Sequence, residues 1–188
     1  MSAPDFVEVL DFWFGVPDSR ERGRPRKSWF RKSEPFDAEI RRRFLATWER
    51  AARGELGGWQ TTPLASLALV VTLDQFPRNM FRGTPRAFAS DSLALAATRE
   101  TIARGFDLLL SPVERTFIYL PFEHAEDLAA QRRSLSLFRA LDPEEMQYPK
   151  RHYEIIARFG RFPHRNAILG RQSTAEEAEF LKQPGSSF

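Results

Sequence analysis

"TPLASLALVVTLDQF", residues 62 to 76, decides the fold class. Thr62 before Pro63 is a helix start, because the threonine oxygen satisfies an orphan N–H and proline has none to lose at the first helical position. Leu67, Leu69, Val70, Val71, Leu73 and Phe76 then leave no polar face, which is the pattern of a helix buried on all sides. Pro77 disfavours helical geometry at Phe76, so the chain is expected to turn there.

The same punctuation recurs outward from this segment. Ser111-Pro112 and Asp142-Pro143 repeat the capped start, and Glu114 and Glu145, three residues after their caps, complete capping boxes. Ser173 to Glu176 offers another box. Gly54, Gly105 and Gly160 each follow a helical stretch and suit a left-handed cap. These marks predict helices over 6–14, 36–53, 64–76, 92–104, 113–119, 122–141, 144–159 and 175–182, with no strand alternation. The expected fold is all-α: one domain over 1–188 of antiparallel helical hairpins. Residues 19–32 stand apart as a basic, non-periodic stretch expected to be a flexible loop, either solvated or a flap that docks Trp29 and Phe30 over a site.

Composition excludes several classes. The chain has 188 residues and no cysteine, so disulfides, thiolate nucleophiles and sulfur-ligated zinc are ruled out. Its net charge of +3 is too slight to mark a nucleic-acid binder, and aromatic residues in the basic loop are confined to its end, so nucleic acid is the disfavoured partner. The start "MSAPDFVEVLDFWFG" lacks a basic n-region, and Leu64 to Leu73 is far shorter than a membrane span of roughly 20 residues. The expectation is a cytoplasmic protein without a membrane segment. No Gly-rich phosphate loop, G-x-S-x-G or H-E-x-x-H is present. The three histidines have no paired metal spacing, so neither metal nor cofactor is expected.

Three polar anomalies remain. Asp74 near a helix C-terminus opposes the helix dipole and needs a cation, which Arg78 or Arg82 could supply. It is either a structural pair or part of a ligand site. His124 and Gln131 fall on the apolar stripe of the expected 122–141 helix, as core residues or site residues. Glu123, Glu126 and Asp127 suit the positive start of that helix. Finally "FGRFPHRNAILGR", residues 159 to 171, gathers Arg161, His164, Arg165, Asn166 and Arg171, and arginine forks match carboxylate or phosphate oxygens. The segments around Arg78 and Arg165 are expected to converge near His124 as one polar pocket.

"VLDFWFG", "LDQFPRNMFRGTPRAFASD", "LPFEHAED" and "RFGRFPHRNAILGRQSTAEE" together resemble the bacterial domain of unknown function family 924, in order from Val9 to Phe188. The resemblance implies a helical, tetratricopeptide-like superfamily fold and no established activity. It makes Asp74, Gln75, Arg78, Asn79, His124, Arg161, His164, Arg165 and Asn166 candidate ligand-binding residues, to which Arg82 and Gln131 are added from the anomalies above. The expected function is binding of a small carboxylate or phosphate. Two alternatives stand beside it: a peptide-interaction module in which these motifs are structural, and a metal-independent enzyme with His124 or His164 as acid–base.

Overall fold

The computed structural model describes residues 5–187; residues 1–4 and 188, the outer ends of the stretches read above, lie outside the described residues. The described chain is all-helical, without a strand. Eight α-helices follow one another: α1 (Phe6–Phe14), α2 (Glu34–Ala52), α3 (Pro63–Met80), α4 (Asp91–Ala103), α5 (Pro112–His124), α6 (Leu128–Leu141), α7 (Gln147–Phe159) and α8 (Ala175–Phe180). None is long and apolar enough to cross a membrane. They fall into two compact units, Met1–Arg82 with Arg86–Pro121, and Gly83–Pro85 with Phe122–Phe188.

The first unit is built around α3, which packs against α1, α2 and α4. Its start is as the sequence indicates, with the Thr62 hydroxyl accepting from Ala65 N–H. Its end is not. The helix runs through Pro77 to Met80 instead of turning at Phe76. A proline at 77 removes the N–H that the Leu73 carbonyl would accept. The Ser90 hydroxyl takes that place, donating to Leu73 O at 2.6 Å, while Trp48 Nε1 donates to Ser90 Oγ at 3.0 Å. Phe76 thereby stays in the core, against Phe44 (ring centroids 4.8 Å apart) and Trp13 (5.6 Å).

The basic stretch is tied to the C-terminal end of α1. Arg26 donates to Phe12 O and Trp13 O at 2.8 Å, Arg22 to Gly15 O at 3.0 Å, and Trp29 Nε1 to Trp13 O at 2.8 Å. These donors fill carbonyls that the end of a helix leaves without partners. Trp29 is buried with its ring 4.7 Å from that of Phe117.

In the second unit α6 packs against α7, and Ile155, Ile156 and Phe162 form a small core joined by Leu128, Phe159 and Phe180. Gly160 closes α7 in the left-handed conformation at φ 69°. Three sequence expectations are corrected here. Residues 122–124 belong to the end of α5, and the next helix starts at Leu128 with Asp127 as its cap, accepting from Ala130 N–H at 2.7 Å. His124 therefore does not share a helix with Gln131, and Glu123 lies at a helix end rather than a beginning. Asp142 accepts from Glu144 and Glu145 N–H, but this makes only a turn, and α7 begins at Gln147. The last capping box sits one residue later than read, at Thr174 and Glu177.

Candidate functional site

The singled-out polar residues form two groups, one in each unit. In the first, Asp74 is fully buried and Arg78 Nη1 lies 3.3 Å from its Oδ1. The same guanidinium also donates to Asp74 O at 2.7 Å and to the Asp91 oxygens at 2.8 and 3.0 Å. Burial works against the Arg78 charge, but Asp74 and Asp91 outweigh it and raise its pKa. Gln75 Nε2 donates to Asp74 Oδ2 at 2.6 Å. Arg82 serves a different carboxylate, Asp37, through bonds of 2.5 and 3.1 Å, and Asn79 donates to the same group at 2.8 Å. The chain's own aspartates thus engage Gln75, Arg78, Asn79 and Arg82.

The turn after α7 is matched in the same way at two points. Arg161 grips both oxygens of Glu177 at 2.6 and 2.8 Å, and Asn166 Nδ2 adds a 3.3 Å bond. The Arg161 bond is the largest influence on Glu177, holding its carboxyl at about 2; Thr174 N–H assists. Arg171 grips Glu126 at 2.6 and 2.9 Å, and Phe162 N–H donates to Glu126 at 2.7 Å. Burial pushes the Glu126 carboxyl up, yet Arg171 and that N–H bring it below the ordinary carboxylate value. Gln131 acts as a clamp: its Nε2 meets Glu123 O at 2.6 Å and Ala125 O at 2.9 Å, serving carbonyls at the end of α5.

The second unit also holds a cluster of a different kind. It contains all three histidines of the chain, with Glu123 and Arg165. His152 projects from α7 and is buried. Its Nδ1 lies 2.9 Å from Tyr148 O and 3.0 Å from Glu123 Oε1, so Nδ1 carries the ring proton between two acceptors. Burial is the largest influence on this imidazole and takes its pKa down to about 3. The Tyr148 carbonyl opposes the shift, whereas His124, Arg165 and His164 reinforce it. The Glu123 carboxylate also favours a charged ring, but desolvation, assisted by Arg165, His124 and His164, prevails, and the ring is neutral. With Nδ1 protonated, Nε2 is the basic nitrogen.

Phe162 holds the other members in place. Its ring centroid lies 5.5 Å from that of His152 and 5.6 Å from that of His164. The Arg165 guanidinium sits 4.5 Å over the same ring and donates to His124 O at 3.1 Å. The His124 and His152 rings are 6.3 Å apart. His124 and His164 are half-buried, while Glu123, His152 and Arg165 are buried. Among the described residues no group of three or more His, Asp or Glu side chains is placed to hold a metal ion.

A family model described as bacterial protein of unknown function, DUF924, matches residues 9–185. The chain belongs to that family. A solved structure of a protein of unknown function from Agrobacterium tumefaciens is 43% identical, covering 94% of this chain and 96% of its own, with a TM-score of 0.85. Curated proteins give no match.

Two residues of the cluster escaped the sequence reading as site candidates. His152 carries a usable signal, since it lies three and four residues before Ile155 and Ile156 on the buried face of α7. Glu123 carries none, because its partner is 29 positions away and its helix runs through Pro121.

Proposed function

We propose that the second unit binds a small carboxylate or phosphate at His124, His164 and Arg165, with neutral His152 as an adjacent, oriented hydrogen-bonding ring. One observation carries this reading: a buried guanidinium and a buried, oriented imidazole stand beside two half-buried imidazoles. Arginine supplies charge at any working pH, and the half-buried rings can add it on protonation. Glu123 and the Tyr148 carbonyl fix the His152 tautomer with Nδ1 protonated, which leaves Nε2 as a hydrogen-bond acceptor. Arg161 and Arg171 support the site by holding the turn, and Asp74, Gln75, Arg78, Asn79 and Arg82 form a structural network in the other unit.

The test is thermal unfolding with inorganic phosphate or citrate against chloride at matched ionic strength. A ligand at 100 times its Kd stabilises the fold by roughly 2.7 kcal/mol, raising Tm by about 5–10 °C. His124→Ala combined with His164→Ala should abolish the shift. No shift, or an equal shift in that variant, overturns the reading. A second reading, peptide binding, is favoured by an open groove lined by Arg132, Leu135, Ser136, Arg139, Ala140 and Tyr153. An acidic peptide whose binding is lost in Arg132→Glu yet kept in His124→Ala would place the function there.

A further inference from the structure

The basic stretch of the first unit divides its cations. Arg26 turns inward onto α1 carbonyls and Arg22 onto the Gly15 carbonyl just past the helix, and Arg26 also meets Glu21 at 3.5 Å. Arg20, Arg24, Lys27, Arg31 and Lys32 are exposed, and their side chains make no hydrogen bond or ion pair among the described residues. Phe30 lies among them with 71% of its surface exposed. Its ring plane is parallel to that of Phe117, at 1°. Next to it Trp29 is buried and hydrogen-bonded, so the ring is carried on an anchored turn.

We propose that this stretch, from Arg20 to Lys32, docks single-stranded nucleic acid. Five unpaired cations on an anchored frame fit a polyanion, and its order is already fixed by Arg22, Arg26 and Trp29 before binding. Phe30 narrows the choice of polyanion. An exposed planar ring flanked by cations is a platform on which a base can stack, and stacking does not discriminate among bases. A duplex keeps its bases stacked within the helix, so it offers that ring nothing. The sequence disfavoured nucleic acid on net charge and sparse aromatics; the separation of inward from outward cations, visible only in three dimensions, reverses that judgement locally. Asp18 and Glu34 are exposed at the two ends of the stretch and limit its span.

The experiment is fluorescence anisotropy of the full chain with a labelled oligouridine of about a dozen nucleotides across a salt series. If all five cations meet phosphates, log K falls against log salt with a slope of about −3.5. Arg31→Gln should flatten that slope by about 0.7. Phe30→Ala should weaken binding about tenfold at unchanged slope, with the helical circular dichroism kept, and should leave duplex binding untouched. Replacing all five cations by glutamine should remove binding while the helical circular dichroism persists. The proposal is overturned if the wild type does not bind, if Phe30→Ala binds as the wild type does, or if the five-glutamine variant retains affinity. Equal affinity for polyglutamate or anionic lipid vesicles also overturns it, since either would leave the aromatic platform without a role.

Discussion

Phe76-Pro77 and Phe162-Pro163 stand in knots with the same residue types, Arg and Asn beside Phe-Pro, but they occupy different backbone settings. The first lies inside α3, where Pro77 breaks a helical bond that Ser90 replaces. The second follows Gly160, after α7 has ended, so Pro163 has no helical bond to break. Around Pro77, Arg78 and Arg82 both meet aspartates. Around Pro163, Arg161 and Arg171 meet glutamates, and Arg165 donates to the backbone oxygen of His124. A short motif therefore specifies a way of satisfying polar groups beside an apolar pair.

The largest expected effect tests the first knot. Arg78→Ala leaves Asp74, fully buried, without its guanidinium and should cost about 3–5 kcal/mol in urea denaturation. Adding Asp74→Asn should recover part of the loss, because a neutral amide needs no countercharge. Equal midpoints for the wild type and Arg78→Ala would remove the charge pair from the account of this knot and leave Gln75 as the main partner of Asp74.

A smaller effect belongs to the second unit and is visible in pH. The folded value of His152, about 3, lies below its ordinary 6.5. Over that interval the unfolded chain binds a proton that the native ring refuses, so stability falls as pH drops below 6.5 and is unaffected above it. By pH 5 the loss from this group is roughly 2 kcal/mol. Glu177, held at about 2 against 4.5, adds its own loss only at lower pH, which separates the two windows. His152→Asn keeps a donor for Glu123 without a titrating ring, so its stability should fall less between pH 7 and 5. Parallel curves for variant and wild type would show that His152 is charged in the native state.

Much of this was legible locally. Thr62-Pro63 and the Ser111–Glu114 box start α3 and α5, and Gly54, Gly105 and Gly160 adopt the left-handed geometry expected of helix stops. The failures share a cause. The extension of α3 past Phe76 depends on Ser90, 17 residues from the carbonyl it serves, and Glu126 meets Arg171 across 45 residues. Propensity reads neighbours along the chain, whereas these bonds are fixed by packing. The outward and inward cations of residues 19–32 are likewise identical in sequence terms.

The smallest predicted effect isolates what a proline inside a helix requires. Ser90 is fully buried, and its hydroxyl both donates to Leu73 O and accepts from Trp48 Nε1. Ser90→Ala leaves both groups without that partner and should cost about 1–2 kcal/mol, with the same helical content. Pro77→Ala should then behave differently in the two backgrounds. In the wild type the backbone N–H that this substitution restores competes with Ser90 for Leu73 O, so little is gained. In Ser90→Ala it supplies the missing donor and should recover most of the loss attributable to Leu73, though not the part owed to Trp48. The coupling between the two changes, read from a double-mutant cycle in urea, should therefore be positive and near 1 kcal/mol. Additive effects would mean that Leu73 O is satisfied by water in either case, and that α3 passes through Pro77 because Phe76 is held in the core. The corresponding Pro163→Ala variant has no such carbonyl to serve and should show no dependence on Ser90.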